Sequence, residues 1–223
     1  MTNPFSSKTY TQIWLKHFRA ESKEQVFKSI KGVSFYKSKY LPLFINVGKN
    51  LTKGIYYSID YQESDYKNSV FLLYDIPEYF NVEDLDTSQT NLRLKSVFQY
   101  EGFLMDISSF NDVEAYINNQ FSSKNRREFR SNKRRLETCF DISYSFINEE
   151  VSQAEFDAIF ESFYALLSKR FSEKQTNYHH LNPVKWNYYK ELVFEMLKEK
   201  RASFLIIYNE DTPIGITLNF HSD

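Results

Sequence analysis

The stretch that most limits the fold is Ala202 to Phe220. It reads Ser203-Phe-Leu-Ile-Ile-Tyr208, then a polar break Asn209-Glu-Asp-Thr-Pro213, then Ile214-Gly-Ile-Thr-Leu-Asn-Phe220. Two β-branched, apolar runs about a short turn rich in Asp and Pro predict an antiparallel hairpin. Upstream of it the pattern is helical. Asn182-Pro183 has the form of an N-cap followed by proline at the first helical position, and Trp186, Tyr189, Val193, Met196 and Leu197 then recur at helical spacing. Ser152-Gln-Ala-Glu155 has the form of a capping box and opens a helix with Phe156, Ile159, Phe160, Phe163, Leu167 and Phe171 on one stripe.

Before these lies a basic helix, Ser123 to Glu137, and between them Cys139 to Ile147 alternates as a half-buried strand does. A helix opening at Ser109, with Asp112 three residues on and Val113, Tyr116 and Ile117 facing inward, is expected ahead of it, and Val97 to Ile107 reads as a strand broken at Gly102. The first hundred residues differ. Thr9 to Ala20 predicts a helix, and Ser22-Lys-Glu-Gln25 has capping-box form for a second, with Val26, Phe27 and Ile30 on its apolar face. Four short runs beginning at Gly32, Leu41, Gly54 and Ser69 then read as three or four strands of one sheet, followed by a polar loop from Asn81 to Asn91. The order predicts an α+β chain, a mixed and mostly antiparallel sheet flanked by helices. Its parts would be an N-terminal lobe over 1–108 and a second unit over 109–223.

Composition narrows function. There are 28 basic and 29 acidic residues, so no global field draws in nucleic acid or membrane, and any electrostatic role is local. One cysteine, Cys139, excludes an intramolecular disulfide and a Cys-rich zinc site, and its surroundings predict a buried strand position. His179 and His180 are adjacent rather than one helical turn apart, which does not suit a shared metal; a polar interhelical loop is the expected place for them. His221 is expected to be frayed. Asp106 suits a turn or helix cap. Tyr56, Tyr57, Tyr61 and Tyr74 suit sheet packing. The N-terminus has neither a long apolar core nor a small-residue cleavage site, and no run approaches the ~18 apolar residues of a membrane span. The cytoplasm is the expected location. No P-loop, dinucleotide fingerprint or Ser-His-Asp pattern is present.

Several stretches together resemble a known family. Met105-Asp-Ile107, Ser123-Lys-Asn-Arg126, Arg130 and Arg134-Arg-Leu136, then the helix from Phe156 to Arg170, the helix and hairpin from Trp186 to Phe220, and Pro213-Ile-Gly215 follow the order seen in FemAB-type acyltransferases of the GNAT superfamily. The likeness covers about half of the chain, and 109–223 is similar to the front half of a GNAT-like domain; 1–108 is compatible with a degenerate first lobe. The resemblance implies an N-acyltransferase, in which an amine attacks the thioester of acyl-CoA, or the ester of an aminoacyl-tRNA, to form an amide. It implies a base or water path for the amine proton and donors for the oxyanion. It also implies a Gly-containing turn at a helix N-terminus for the donor phosphates. No Gln/Arg-x-x-Gly-x-Gly/Ala run occurs in residues 1–223.

On the basic helix, Arg126, Arg130 and Arg134 share one face, with Phe121, Phe129 and Leu136 opposite. The three arginines are the expected contacts to an anionic ligand, beside the alternative of a solvated surface helix. The acceptor would be a small-molecule or peptide amine. Two other functions fit the same residues: a non-catalytic interaction module that self-associates through the open edge of Ile214–Phe220, and an RNA-binding protein working through the basic helix.

Overall fold

The structure, a computed structural model, describes residues 3–49, 51, 54–78 and 92–222. The chain is α+β. After a 3-10 turn at Pro4–Ser6 come α1 (Lys8–Phe18), β1 (Glu24–Gln25), β2 (Ile30–Lys31), β3 (Phe35–Lys37), β4 (Leu43–Asn46), β5 (Ser58–Ile59) and β6 (Val70–Leu72). Then follow α2 (Val113–Gln120), α3 (Ser123–Cys139), β7 (Ile142–Ile147), α4 (Gln153–Glu173), a 3-10 turn at His179–Leu181, α5 (Pro183–Lys198), β8 (Ala202–Asn209) and β9 (Thr212–Phe220). No helix among the described residues is long and apolar enough to cross a membrane.

The hairpin forms where its sequence places it. β8 and β9 pair from Ala202–Phe220 to Asn209–Thr212, and β7 joins the far side of β8, giving the order β7-β8-β9, all antiparallel. Alternation assigns Phe204, Ile206, Ile216 and Leu218 to one face. That face meets α4, where the Phe204 ring lies 6.4 Å from each of Phe156, Phe160 and Phe163. Both long helices begin at the expected caps. Ser152 Oγ accepts from the Glu155 amide at 3.2 Å and Asn182 Oδ1 from the Val184 amide at 3.0 Å, each worth about 1 kcal/mol. α5 is buried on two sides. Beyond the expected Val193, Met196 and Leu197 it hides Tyr188 and Leu192, because α1 packs on it as well.

The N-terminal strands divide into two sheets rather than one: β1-β3-β4-β6, with β4 and β6 parallel, and the pair β2-β5. The run from Gly54 therefore leaves the first sheet and pairs with Ile30-Lys31. The helix expected from Ser22 does not form. Glu24 accepts from Ser34 Oγ at 2.6 Å and pairs with Tyr36 across β1-β3. Phe27 meets Phe44 and Phe71 edge-on, both at 4.8 Å. Tertiary aromatic packing here outweighs a local capping pattern worth about 1 kcal/mol.

Three further expectations are corrected. Val97–Ile107 forms no strand: Phe98, Phe103, Leu104 and Met105 are exposed, while Gln99 and Tyr100 bind Asp75 by side-chain hydrogen bonds. Asp112, not Ser109, caps α2, accepting from the Ala115 amide at 2.7 Å, and Val113 is exposed. Cys139 is the last residue of α3 and exposed, since the basic helix runs two residues past Glu137 before β7 begins. The expected loop Asn81–Asn91 lies outside the described residues. The boundary at Ser108 falls just after the irregular segment, and the buried cluster draws residues from both sides of it, from Phe5 to Ile206.

One ionic clamp joins α1 to α5. Glu191 accepts from Lys16 Nζ at 2.7 Å and bonds His17 Nε2 at 2.8 Å. Burial pushes the Glu191 carboxyl up, but the bonds from Lys16 and His17 outweigh it and hold the carboxyl below its ordinary value. A carboxylate depressed in the folded state adds stability above its unfolded value and loses it as pH falls through the folded one. Glu191→Gln is expected to cost about 0.5–1 kcal/mol at pH 7. The difference should shrink as pH falls from about 5 to about 3, read by urea unfolding. An equal loss at both ends of that range would contradict the clamp.

Candidate functional site

The N-terminal turn is drawn onto the end of β9. Asn3 Oδ1 accepts from the Phe5 amide at 2.9 Å and its Nδ2 donates to Gly54 O at 2.7 Å, tying the turn to the N-terminal lobe. The Phe5 ring then lies 5.5 Å from Phe220 and 5.4 Å from Tyr10. Between this turn, β9, α4 and the 3-10 turn before α5 opens a cleft of about 1760 Å³. Such a volume exceeds the roughly 300–1,000 Å³ of most small-molecule pockets.

Its walls differ in character. One side is apolar: Phe163 and Leu167 of α4, Trp186 of α5, and Ile216, Leu218 and Phe220 of β9. The Phe163 and Trp186 rings are 5.7 Å apart. The other side is polar, formed by Ser6, Ser7, Lys8 and Thr9 at the start of α1, with Glu199 and Arg201. Thr9 Oγ1 donates to Glu199 Oε1, fastening α1 to the end of α5. Five consecutive β9 residues, Ile216–Phe220, line the cleft, and among the described residues β9 pairs with β8 alone. The outer backbone edge of β9 therefore borders the cleft.

Three further titratable groups of the cleft, Tyr178, His180 and Tyr189, come from the segment 178–189. Tyr189 Oη and His180 Nδ1 share a hydrogen bond of 2.8 Å. The Tyr189 phenol, protonated at neutral pH as any tyrosine is and pushed further above its ordinary value by burial, orients the imidazole. In the tautomer with the proton on Nδ1, that ring donates to Tyr189 and Nε2 carries the lone pair. Tyr178 stacks on Phe171 with centroids 4.1 Å apart and its ring lies 4.9 Å from His180; burial pushes its phenol up too. His179 sits beside His180, rings 4.0 Å apart, but does not line the cleft. The loop of the sequence reading thus delivers one imidazole to the site and leaves the other exposed. No group of three His, Cys, Asp or Glu side chains suited to a metal ion occurs among the described residues.

The basic helix stands elsewhere. Arg126 donates to Asn118 O at 3.0 Å and to Phe121 O, and Arg130 pairs with Glu114, so both bind α2. Neither they nor Arg134 lines the cleft. Asp106 closes a local turn, accepting from the Ser108 amide at 2.9 Å and its hydroxyl at 2.7 Å. Of the four tyrosines, Tyr56 alone lines the cleft, Tyr57 is buried, and Tyr74 lies under Lys49 Nζ at 4.3 Å. His221 is not frayed: its amide donates to Arg201 O at 2.9 Å and its Nε2 bonds the buried Ser203 hydroxyl at 2.7 Å. The cleft as a whole leaves no local pattern in the sequence because its walls come from segments near residues 5, 56, 165, 180 and 218. The Asn182-Pro183 cap, which fixes where the His180 turn ends, was the one local signal pointing there.

Compared with family models, curated proteins and solved structures, the chain finds no match.

Gly32 also borders the cleft, at φ +86°, where a Cβ would come within 2.9 Å of Tyr56 O. The clash is with backbone, so it cannot relax by a rotamer change. Gly32→Ala is expected to lower stability by about 2–4 kcal/mol, measured by denaturant midpoint. A shift within about 0.5 kcal/mol, the range of a neutral surface change, would contradict the close approach.

Proposed function

We propose that the chain is an N-acyltransferase of the GNAT/FemAB kind, joining an acyl group from acyl-CoA, or from aminoacyl-tRNA, to an amine. One observation carries the reading: a large cleft bordered by the unpaired edge of β9, with the His180–Tyr189 pair in its wall. The arm of coenzyme A is an extended chain with two amide groups, and a free strand edge offers donors and acceptors in register with such a chain. Lys8 and Arg201 are the lysine and arginine side chains bordering the cleft among the described residues and would meet anionic groups of the donor.

The reaction needs a free amine. His180 would take the ammonium proton, Tyr189 holding the ring in position. The amine nitrogen then attacks the thioester carbon, a C–N bond forms, and the C–S bond breaks as the thiolate leaves and takes up the proton that the attacking nitrogen sheds. A backbone amide on the β9 edge would stabilise the oxyanion. The acceptor is a small-molecule or peptide amine, and the site of action is the cytoplasm.

A second reading has its own support. The sheet face away from α4 exposes Tyr144, Phe146 and Leu205, near-neighbours across β7-β8, and 97–107 exposes further aromatic and apolar side chains. That much apolar surface suits an interaction module that self-associates. Sedimentation at rising concentration is expected to show association weakened by Phe146→Asp; a monomer throughout removes this reading. The exposed cations of α3, including Arg134, keep the RNA-binding alternative open to a low-salt binding assay.

The acyltransferase reading is tested with labelled acetyl-CoA and a panel of amines and peptides. Amide product is expected, with turnover falling about 10²–10⁴-fold in His180→Ala. Tyr189→Phe should move the pH profile while leaving donor binding intact. Absence of both donor binding and product with folded protein overturns the proposal.

A further inference from the structure

The cleft is larger than a transferred acetyl group needs, and its apolar wall is continuous. Phe163 and Leu167 come one helical turn apart on α4, Trp186 packs between Phe160 and Phe163 with centroids at 4.8 and 5.7 Å, and Ile216 and Leu218 project from the same face of β9 toward them. All five are half-buried rather than sealed in the core, so the wall can accept apolar surface from outside. The polar side of the cleft, with Lys8 and Arg201, lies along the same opening. A site with apolar side chains on one flank and a polar flank that carries Lys8 and Arg201 beside a single carboxylate, Glu199, fits an amphipathic ligand with an anionic head and a long hydrocarbon tail.

Resting on the acyltransferase reading, we propose that the donor carries a medium- or long-chain acyl group, and that the slot between α4, Trp186 and β9 holds its tail. The anionic head lies against Lys8 and Arg201, the coenzyme arm runs along the β9 edge, and the alkyl chain turns under Ile216 and Leu218 against Leu167. Chain length is then read by burial. Each methylene moved from water into the slot adds about 0.8 kcal/mol, close to fourfold in affinity, until Phe163 and Leu167 end the space.

The experiment is calorimetric titration of the full chain with acetyl-, hexanoyl- and decanoyl-CoA, each below its micelle concentration, with free decanoate as a fourth ligand. Affinity is expected to rise by at least 100-fold from acetyl to decanoyl. Leu167→Trp, which fills the slot, should abolish the rise with chain length, bringing decanoyl-CoA to the level of acetyl-CoA in the same variant. Phe163→Ala, which lengthens the slot, should leave the rise with chain length in place. That second variant keeps the test intact if the first fails to fold. Equal affinity along the series overturns the slot and leaves the acyltransferase reading standing. No binding of any thioester overturns both. Decanoate binding as tightly as decanoyl-CoA overturns the donor assignment, because the coenzyme would then contribute nothing.

Discussion

The packing of α1 on α5 is the contact on which the rest of the molecule depends. Tyr10 and Tyr188 meet edge to face with centroids 6.4 Å apart, and Phe18 meets Tyr188 at 5.0 Å. Both tyrosines are fully buried, and burial holds both phenols far above their ordinary values. Among the described residues their hydroxyls have only each other, without a hydrogen bond of normal geometry, a cost of up to about 1–3 kcal/mol. Burial of large aromatic rings at about 1.5–3 kcal/mol apiece, with edge-to-face contacts adding about 0.5–1.5, offsets it. The exposed end of the interface, where Lys16 meets Glu191, adds at most about 1 kcal/mol. Aromatic packing, not charge, holds the helices together.

That contact has a functional consequence. With α1 fixed on α5, the 3-10 turn before α1 is set against Phe220, and the start of α1 faces the last turn of α5 through Thr9 and Glu199. The cleft lies in the angle so formed. Its polar side belongs to the start of α1 and its apolar side to α4, α5 and β9. A residue near the beginning of the chain and a strand near residue 220 therefore border one cleft, held by a buried cluster that spans 5 to 206.

Much of the second half was legible from local chemistry. Ser152 and Asn182 cap their helices as the sequence indicates, the stripe from Phe156 to Phe163 turns inward, and the hairpin has the expected strands. The failures share a cause. The Ser22 pattern is a good helix start in isolation, yet Phe27 gains more among Phe35, Phe44 and Phe71. Tyr188 is invisible to a one-sided helical stripe because a second helix covers it. Arg126, expected by charge and spacing to meet an anionic ligand, bonds the Asn118 and Phe121 carbonyls at the end of α2, contacts that no residue pattern announces. The family likeness, carried by patterned stretches over about half of the chain, suggests a chemistry; the cleft itself is set by contacts between distant segments.

The central claim is that the outer edge of β9 is where an acyl donor lies. Amide hydrogen exchange, resolved by residue and measured with and without acyl-CoA, addresses it most directly. The account predicts slowed exchange within Ile216–Phe220 and at the start of α1, with the amides of β7 unchanged. Protection confined to α3, or none at all when ligand is bound, would contradict it.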